Sequence, residues 1–331
     1  MNDSVSIGSD EMLPVGAHVR EEEEEDTSSM ADCEDDDDDC LLIGGPSTME
    51  LSHEEIDRAL AIKAAVEADP SLDNLSDYEY VQYALAHPAS EERSVGTIVA
   101  EYVYAMQCFR REYRLTDSVE EGMHLFEQAA AQHPGFFLAV EYVSQSGNFI
   151  HIDDVAAFDP RKIVGWEERR KILGGMYYRY QGVCSTLQAI RSGVAIMVEC
   201  MGANFSNFDA HVHEQFMVEL FRCYPKRHKE VLFLNSPTVI NVAHSLWKKY
   251  LSPNMKNAFR LGYQIEGMEG QRIDELFKTP SPEVAQQHMV QKMGRFLKLR
   301  YRNQKTFSLR AATPSNRINL MDTTPAASSF L

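Results

Sequence analysis

His211, His213 and Glu214 are the nearest thing to a metal signature in the chain. On a strand both histidines would share one face. Their spacing instead falls in a predicted helix, where two residues span about 200 degrees, so the rings diverge and cannot share an ion without ligands from elsewhere. The cysteines Cys33, Cys40, Cys108, Cys184, Cys200 and Cys223 are far apart except for the first pair and form no CxxC, which indicates neither a disulfide framework nor a zinc site. No GxSxG, Walker or GxGxxG motif occurs. Gly44-Gly45 and Gly174-Gly175 lack the strand-turn-helix context of a phosphate cradle and fit turns or close packing. The sequence assembles no nucleophile and no acid-base pair, so neither an enzyme nor a metal or organic cofactor is expected.

A different chemistry is carried by residues 236–251. Ser236 is a predicted cap, Pro237 suits the first helical turn, and Val239, Ile240, Ala243, Leu246 and Trp247 form one apolar stripe. A core-facing helix would look like this. Lys248 and Lys249 follow the stripe directly, which equally suits a helix at a lipid interface with its ammonium groups among phosphates.

The surrounding elements alternate. Ser52 with Glu54 and Glu55 opens a helix that stops before Pro70, and a shorter helix follows Ser76. Ile98, Tyr102, Met106 and Phe109 mark a helix within residues 90–113, and Ser118 with Glu121 predicts a capping box for a helix ending before Pro134. Beyond Pro134 the period changes to β-type: Phe137–Val143 and Asn148–Ile152 predict a hairpin. A helix over Trp166–Arg191, a strand Val194–Cys200, a helix Asp209–Cys223, a strand Val231–Leu234, the striped helix and a strand Phe259–Ile265 follow. That order predicts an α/β fold with a largely parallel sheet behind an N-terminal helical unit. A last helix over Ser281–Arg302 carries Lys292, Arg295, Lys298, Arg300 and Arg302 and reads as amphipathic and basic.

Charge is uneven. Of 331 residues with net charge -18, residues 1 to 49 hold 16 Asp and Glu against Arg20 alone, leaving 34 acids and 31 bases downstream. Such a balance excludes a whole-molecule basic surface for nucleic acid. The acidic segment is expected to be disordered, and it serves either solubility alone, weakened binding to anionic membranes, or docking on a basic partner. No apolar run approaches the roughly 20 residues that cross a bilayer, and no secretory or acylation signal is read at the start, so a soluble, cytoplasmic protein is expected. Asn204-Phe205-Ser206 is then only a formal glycosylation sequon. Ser329, Phe330 and Leu331 match a peroxisomal tripeptide poorly, with Phe where a basic residue belongs.

Several segments occur in an order that resembles the CRAL-TRIO lipid-transfer family. Cys223-Tyr224-Pro225-Lys226-Arg227 resembles its YPxR. Val231-Leu232-Phe233-Leu234-Asn235-Ser236-Pro237 resembles its hydrophobic strand ending N-x-P, and Leu246-Trp247-Lys248-Lys249-Tyr250-Leu251 its K-P-F-L-like segment. Glu199-Cys200-Met201-Gly202 and Asp159-Pro160-Arg161-Lys162 resemble D-x-x-G and D-P-x-K. The resemblance covers about residues 135–270. It implies a mixed, largely parallel sheet flooring an apolar pocket that a gate helix closes. By position, Val194, Ile196 and Val198 would line the pocket from a strand, and Val239, Ile240, Ala243 and Leu246 from the gate.

Departures from the family pattern narrow the implied ligand. The glutamate that phosphatidylinositol-transfer members use falls on Gln215, and Glu214 is turned away by about 100 degrees. Strand positions where those members carry hydroxyls are Val194 and Ile196, so a phospholipid headgroup would lose partners at about 1 to 3 kcal/mol each. An isoprenoid-like lipid is the better expectation. The basic pair that tocopherol- and retinaldehyde-binding members place after the gate falls on Asn254 and Ala258; Lys256 and Arg260, four apart on one predicted helical face, would substitute for it. Together with Lys248 and Lys249 they are the expected headgroup or membrane contacts.

The implied organisation is an acidic tail (1–49), a helical unit (50–134), the lipid-binding domain (135–270), C-terminal helices (271–303) and a disordered tail (304–331). The expected role is to carry a hydrophobic lipid between membranes with transient surface contact, its own bound lipid standing in place of a cofactor. The alternative is a non-catalytic module with a vestigial pocket that recruits a partner through the acidic tail or the basic helix.

Overall fold

Residues 51–88, 94–143, 148–248, 251, 253–265, 271–273 and 282–309 are described by the computed structural model; the acidic segment 1–49 and residues 310–331 lie outside them. The order is α1 (His53–Glu67), α2 (Asp77–Ala86), α3 (Val95–Ile98), a π-helical turn Val99–Val103, α4 (Tyr104–Glu112) and α5 (Val119–Gln132). The hairpin β1 (Phe137–Val143) and β2 (Asn148–Asp154) follows, then α6 (Trp166–Val183), α7 (Leu187–Ser192) and β3 (Val194–Glu199). Next come α8 (Ala210–Gln215), a π-helical turn Phe216–Phe221, β4 (His228–Leu234), α9 (Thr238–Trp247), α10 (Pro253–Ala258), β5 (Phe259–Tyr263) and α11 (Pro282–Thr306).

Ser52 and Ser76 cap α1 and α2 in reciprocal boxes with Glu55 and Glu79, satisfying helix N–H groups that have no partner inside the helix. Ser118 does so in one direction only. The Glu121 N–H donates to Ser118 Oγ at 3.2 Å, but the Glu121 carboxylate accepts from the Thr116 hydroxyl and from Arg170 Nη2 at 2.6 Å, because the facing helix α6 supplies a stronger, charged donor. Two predicted long helices are also interrupted. Thr186 accepts the Ala189 N–H and starts α7 afresh after α6, and the helix from Ala210 widens into the π-helical turn that carries Phe216 and Phe221.

The sheet runs β1-β2-β3-β4-β5, with β1 and β2 antiparallel and the remaining pairs parallel. Registers place His151, Ile196, Val231 and Phe259 in one row across four strands, and Asp153, Val198, Phe233 and Leu261 in the next. Because side chains alternate along a strand, all eight share one face. The opposite face packs Ile152, Leu232 and Leu234 around Ile273.

Helix α6 is buried on every side from Ile172 to Val183. Gly175 permits this: a Cβ there would stand 2.5 Å from the Ala129 Cβ of α5. One apolar core joins α1 to α7, the hairpin and α11. Two expectations about the C-terminal part change. Residues 304–306 continue α11, Phe307 and Leu309 are buried, and the Leu309 N–H donates to Asp77 Oδ2 at 2.7 Å, so this stretch is an ordered strap. Arg300 belongs to no basic outer face: it is 1% exposed, stacks on Tyr78 and donates to Gln181 Oε1 (2.8 Å) and Gln82 Oε1 (2.6 Å). Met289, Met293, Phe296 and Leu297 on the same side are buried, which turns that face of the helix inward.

Candidate functional site

The sheet face carrying Ile196, Val198, Val231, Phe233 and Phe259 floors a partly open cavity of about 130 Å³. Its roof and sides come from Met176 and Tyr180 of α6, from Phe136, Val155 and Phe158 around the hairpin, and from Phe216, Leu220 and Phe221 of the π-helical turn. The extra residue per turn there brings Phe216 and Phe221 to the same void. Nearly all of this lining is alkyl or phenyl surface.

Three polar side chains reach the lining: His151, Asp153 and His213. His213 is stacked on Phe208 and tied at Nδ1 to the Asp209 carbonyl at 2.8 Å; burial is the main cause of its lowered pKa. Asp153 is held by Arg179 of α6 through both oxygens, one contact being 2.9 Å from Nη2. The Arg179 guanidinium is fully buried and lies over the Phe137 ring. His151 differs: it is fully buried, and neither ring nitrogen has a hydrogen-bond partner. Burial, with Arg179, Lys226 and His228 nearby, holds its pKa well below the usual histidine value. Lys226 is also buried, its Nζ without a partner, 3.1 Å from the Tyr180 ring centre, 4.7 Å from that of Phe221 and 5.4 Å from that of Tyr224. Burial pushes its pKa well down, opposed by the Cys184 thiol and aided by Arg179.

Residues 138–268 match the family model of the CRAL/TRIO domain, and the mixed five-stranded sheet under helices has the matching α/β layout. This segment is a CRAL/TRIO domain. The family consists in general of lipid-binding and lipid-transfer domains rather than enzymes. No curated protein matches the chain.

Within the CRAL/TRIO domain the residues expected at the ligand separate. Ile196 and Val198 line the cavity, whereas Val194, on the same face, sits in the main helical core. Val239, Ile240 and Ala243 of α9 are buried in one cluster with Ile196, Val198, Val231, Phe233 and Phe259, pressed on the cavity floor without forming its lining. The Leu246 and Trp247 side chains and Lys249 lie outside the described residues. Lys248 is exposed at the end of α9. Lys256 and Arg260 are both exposed, but they do not share a helical face: α10 ends at Ala258, and Arg260 belongs to β5, where it pairs with Leu232 of β4. Gln215 is half-buried and Glu214 exposed.

Residues of the family motifs mostly hold the frame. Glu199 is fully buried and accepts from the Met201 N–H (2.8 Å), the Ile273 N–H (2.9 Å) and Asn235 Nδ2 (3.1 Å), which locks the end of β3 to the end of β4. Asn235 takes a φ of 48°, a turn conformation that asparagine tolerates, and so aims the chain into α9. Pro237 is the N-terminal cap position; Ser236 does not cap, its hydroxyl donating instead to the Phe233 carbonyl at 3.1 Å. Asp159 accepts the Arg161 N–H and caps the short turn Pro160–Lys162. Among the described residues no group of three His, Cys, Asp or Glu side chains is placed to hold a metal, and no helix is long and apolar enough to cross a membrane.

Sequence reasoning missed His151, the Asp153–Arg179 pair and the burial of Lys226. A trace was present: Phe149, His151 and Asp153 alternate on what must be the buried face of β2, where two polar residues need an internal reason.

Proposed function

We propose that the cavity holds the apolar part of a lipid and that the protein carries or presents this lipid between membranes, with α9 as the moving cover. The supporting observation is the apolar cavity on the sheet face of a CRAL/TRIO domain, with α9 seated on the same floor residues. Moving about 16 methylenes out of water is worth roughly 13 kcal/mol at about 0.8 per methylene, so exchange runs directly between bilayer and cavity. At about 130 Å³ the cavity matches a benzene-sized guest, for which a void of about 150 Å³ suffices. A lipid chain needs more, so loading requires the cover to move. Helix α9 is suited to that: Val239, Ile240 and Ala243 are its inner face, whereas Asn241, Val242 and Ser245 are exposed, so it makes one apolar contact that can part. Lys248 stands at its outer end, where it meets anionic lipid phosphates while the helix swings.

The test is native and lipid mass spectrometry on the full chain purified from cells. One lipid class near one molecule per chain is expected. A chain that is empty as purified and takes up no lipid from vesicles would overturn the carrier reading in favour of an interaction module with a vestigial pocket.

A further inference from the structure

One end of the cavity is built differently from the rest. Along the row His151, Ile196, Val231 and Phe259, polarity is confined to the β2 end, and the remaining floor is hydrocarbon. At that end the Tyr180 ring is shared: the His151 ring centre is 5.7 Å from it and Lys226 Nζ 3.1 Å. His151 lines the cavity and offers two unsatisfied nitrogens; Lys226 stands behind Tyr180 and Phe221, which are themselves cavity wall.

The polar groups at this end are not all matched. Arg179 is paired with Asp153, but among the described residues no carboxylate pairs with Lys226, whose Nζ lies against the rings of Tyr180, Phe221 and Tyr224. Buried cations in proteins are paired or coordinated, and buried ring nitrogens are hydrogen-bonded. Two groups without hydrogen-bond partners on one ring, at one end of a mostly apolar void, are a pair that an anionic head would satisfy. An alcohol would satisfy His151 and leave Lys226 uncompensated. A two-tailed phospholipid brings twice the hydrocarbon of a single-chain lipid to a void of about 130 Å³.

Resting on the reading that the cavity binds lipid, we propose that its ligand is a single-chain amphiphile with one carboxylate head, hydrogen-bonded by His151 and counter-charged by Lys226 across the Tyr180 ring. The chain then runs over Ile196 and Val231 towards Phe259 and α9. His151 is the head-binding residue, and Lys226 acts on the head through space.

Three probes with the same long chain decide it: a fatty acid, its alcohol and its methyl ester, titrated by calorimetry against the lipid-free full chain. The acid should bind at least about tenfold tighter than either neutral probe, the scale of one charge pair in a partly screened interior. Lys226→Met should bring the acid down to the level of the alcohol, and His151→Phe should weaken acid and alcohol but not ester. The wild-type ranking needs no variant, so it stands even if a variant fails to fold. The carboxyl-carbon NMR signal of labelled bound acid gives a second readout: an ionised head is expected, and a protonated one refutes the proposal. Equal binding of the three probes, or tighter binding of the alcohol, overturns the anionic head and leaves the carrier intact. Binding of none overturns the carrier reading as well.

Discussion

A cavity kept for a ligand should weaken the empty protein, and its size sets by how much. At about 24 cal/mol per Å³, a void near 130 Å³ costs roughly 3 kcal/mol of stability. Val198 faces that void from near the C-terminal end of β3, beside Phe233 in the adjacent strand. Val198→Phe directs a ring into the space, and at about 0.8 kcal/mol per added carbon it should recover about 1 to 2 kcal/mol once imperfect fit is allowed for. Thermal melting of the lipid-free full chain should therefore rise, by about 2–4 °C for each kcal/mol in a protein of this size. Uptake of a fluorescent lipid from vesicles should fall several-fold in the same variant. The two effects are opposed, and their conjunction is the point: a stabilised protein that has lost its function. If the melting temperature drops instead, the void is not available space and overpacking dominates. If stability rises while uptake is unchanged, the lipid lies elsewhere.

Arg179→Met strands the buried Asp153 carboxylate on the cavity wall and should cost about 3–5 kcal/mol in denaturant unfolding, whereas Arg179→Met with Asp153→Leu should cost much less than the sum of the two single changes; additivity would show that the pair is not coupled. His133 is stacked on Phe158 and accepts the Asp159 N–H, and burial lowers its pKa to about 4; burial also holds His151 and His228 well below the usual histidine value. These rings are neutral when folded and take up protons when unfolded, so their contribution to stability is complete above about pH 6.5 and is lost as pH falls towards about 4. Melting temperatures should decline from pH 7 to about pH 5, less steeply in His133→Asn, and a flat profile would contradict the burial of these histidines. Lys248→Glu should slow lipid transfer between anionic vesicles several-fold, most at low salt, while the amount bound at equilibrium stays the same; equal rates would remove Lys248 from the membrane contact.

Much of the frame was legible because it is local. Ser52 and Ser76 announce their helices by chemistry contained within four residues, the β-rich runs around residues 144–147 predict the hairpin, and the alternation of elements after Pro134 leads to a largely parallel sheet. The ordered motifs from Asp159 to Pro237 are also local signals, and Glu199 and Asn235 show what two of them do: each fixes where a strand ends and the next element begins. What misled was competition from afar. Glu121 had an arginine of α6 to choose over its own helix, Arg260 obeyed the sheet edge rather than the helical period, and Arg300 found two glutamines and a tyrosine ring inside the protein.

The sequence alone determined which stretches form helices and strands, that the α/β part resembles a lipid-transfer domain, and that strand and gate stripes are apolar. Spacing carries that information because periodicity is a property of one segment at a time. Tertiary structure alone decided which apolar residues enclose the void and which merely fill the core, since Val194 and Ile196 are indistinguishable by type and face yet lie over different neighbours. It also decided that His151 and Lys226, separated by 75 positions in sequence, meet on one tyrosine ring without partners. Burial and the identity of neighbours arise only when distant segments pack, and those two quantities set the charge, hydration and ligand preference of the cavity.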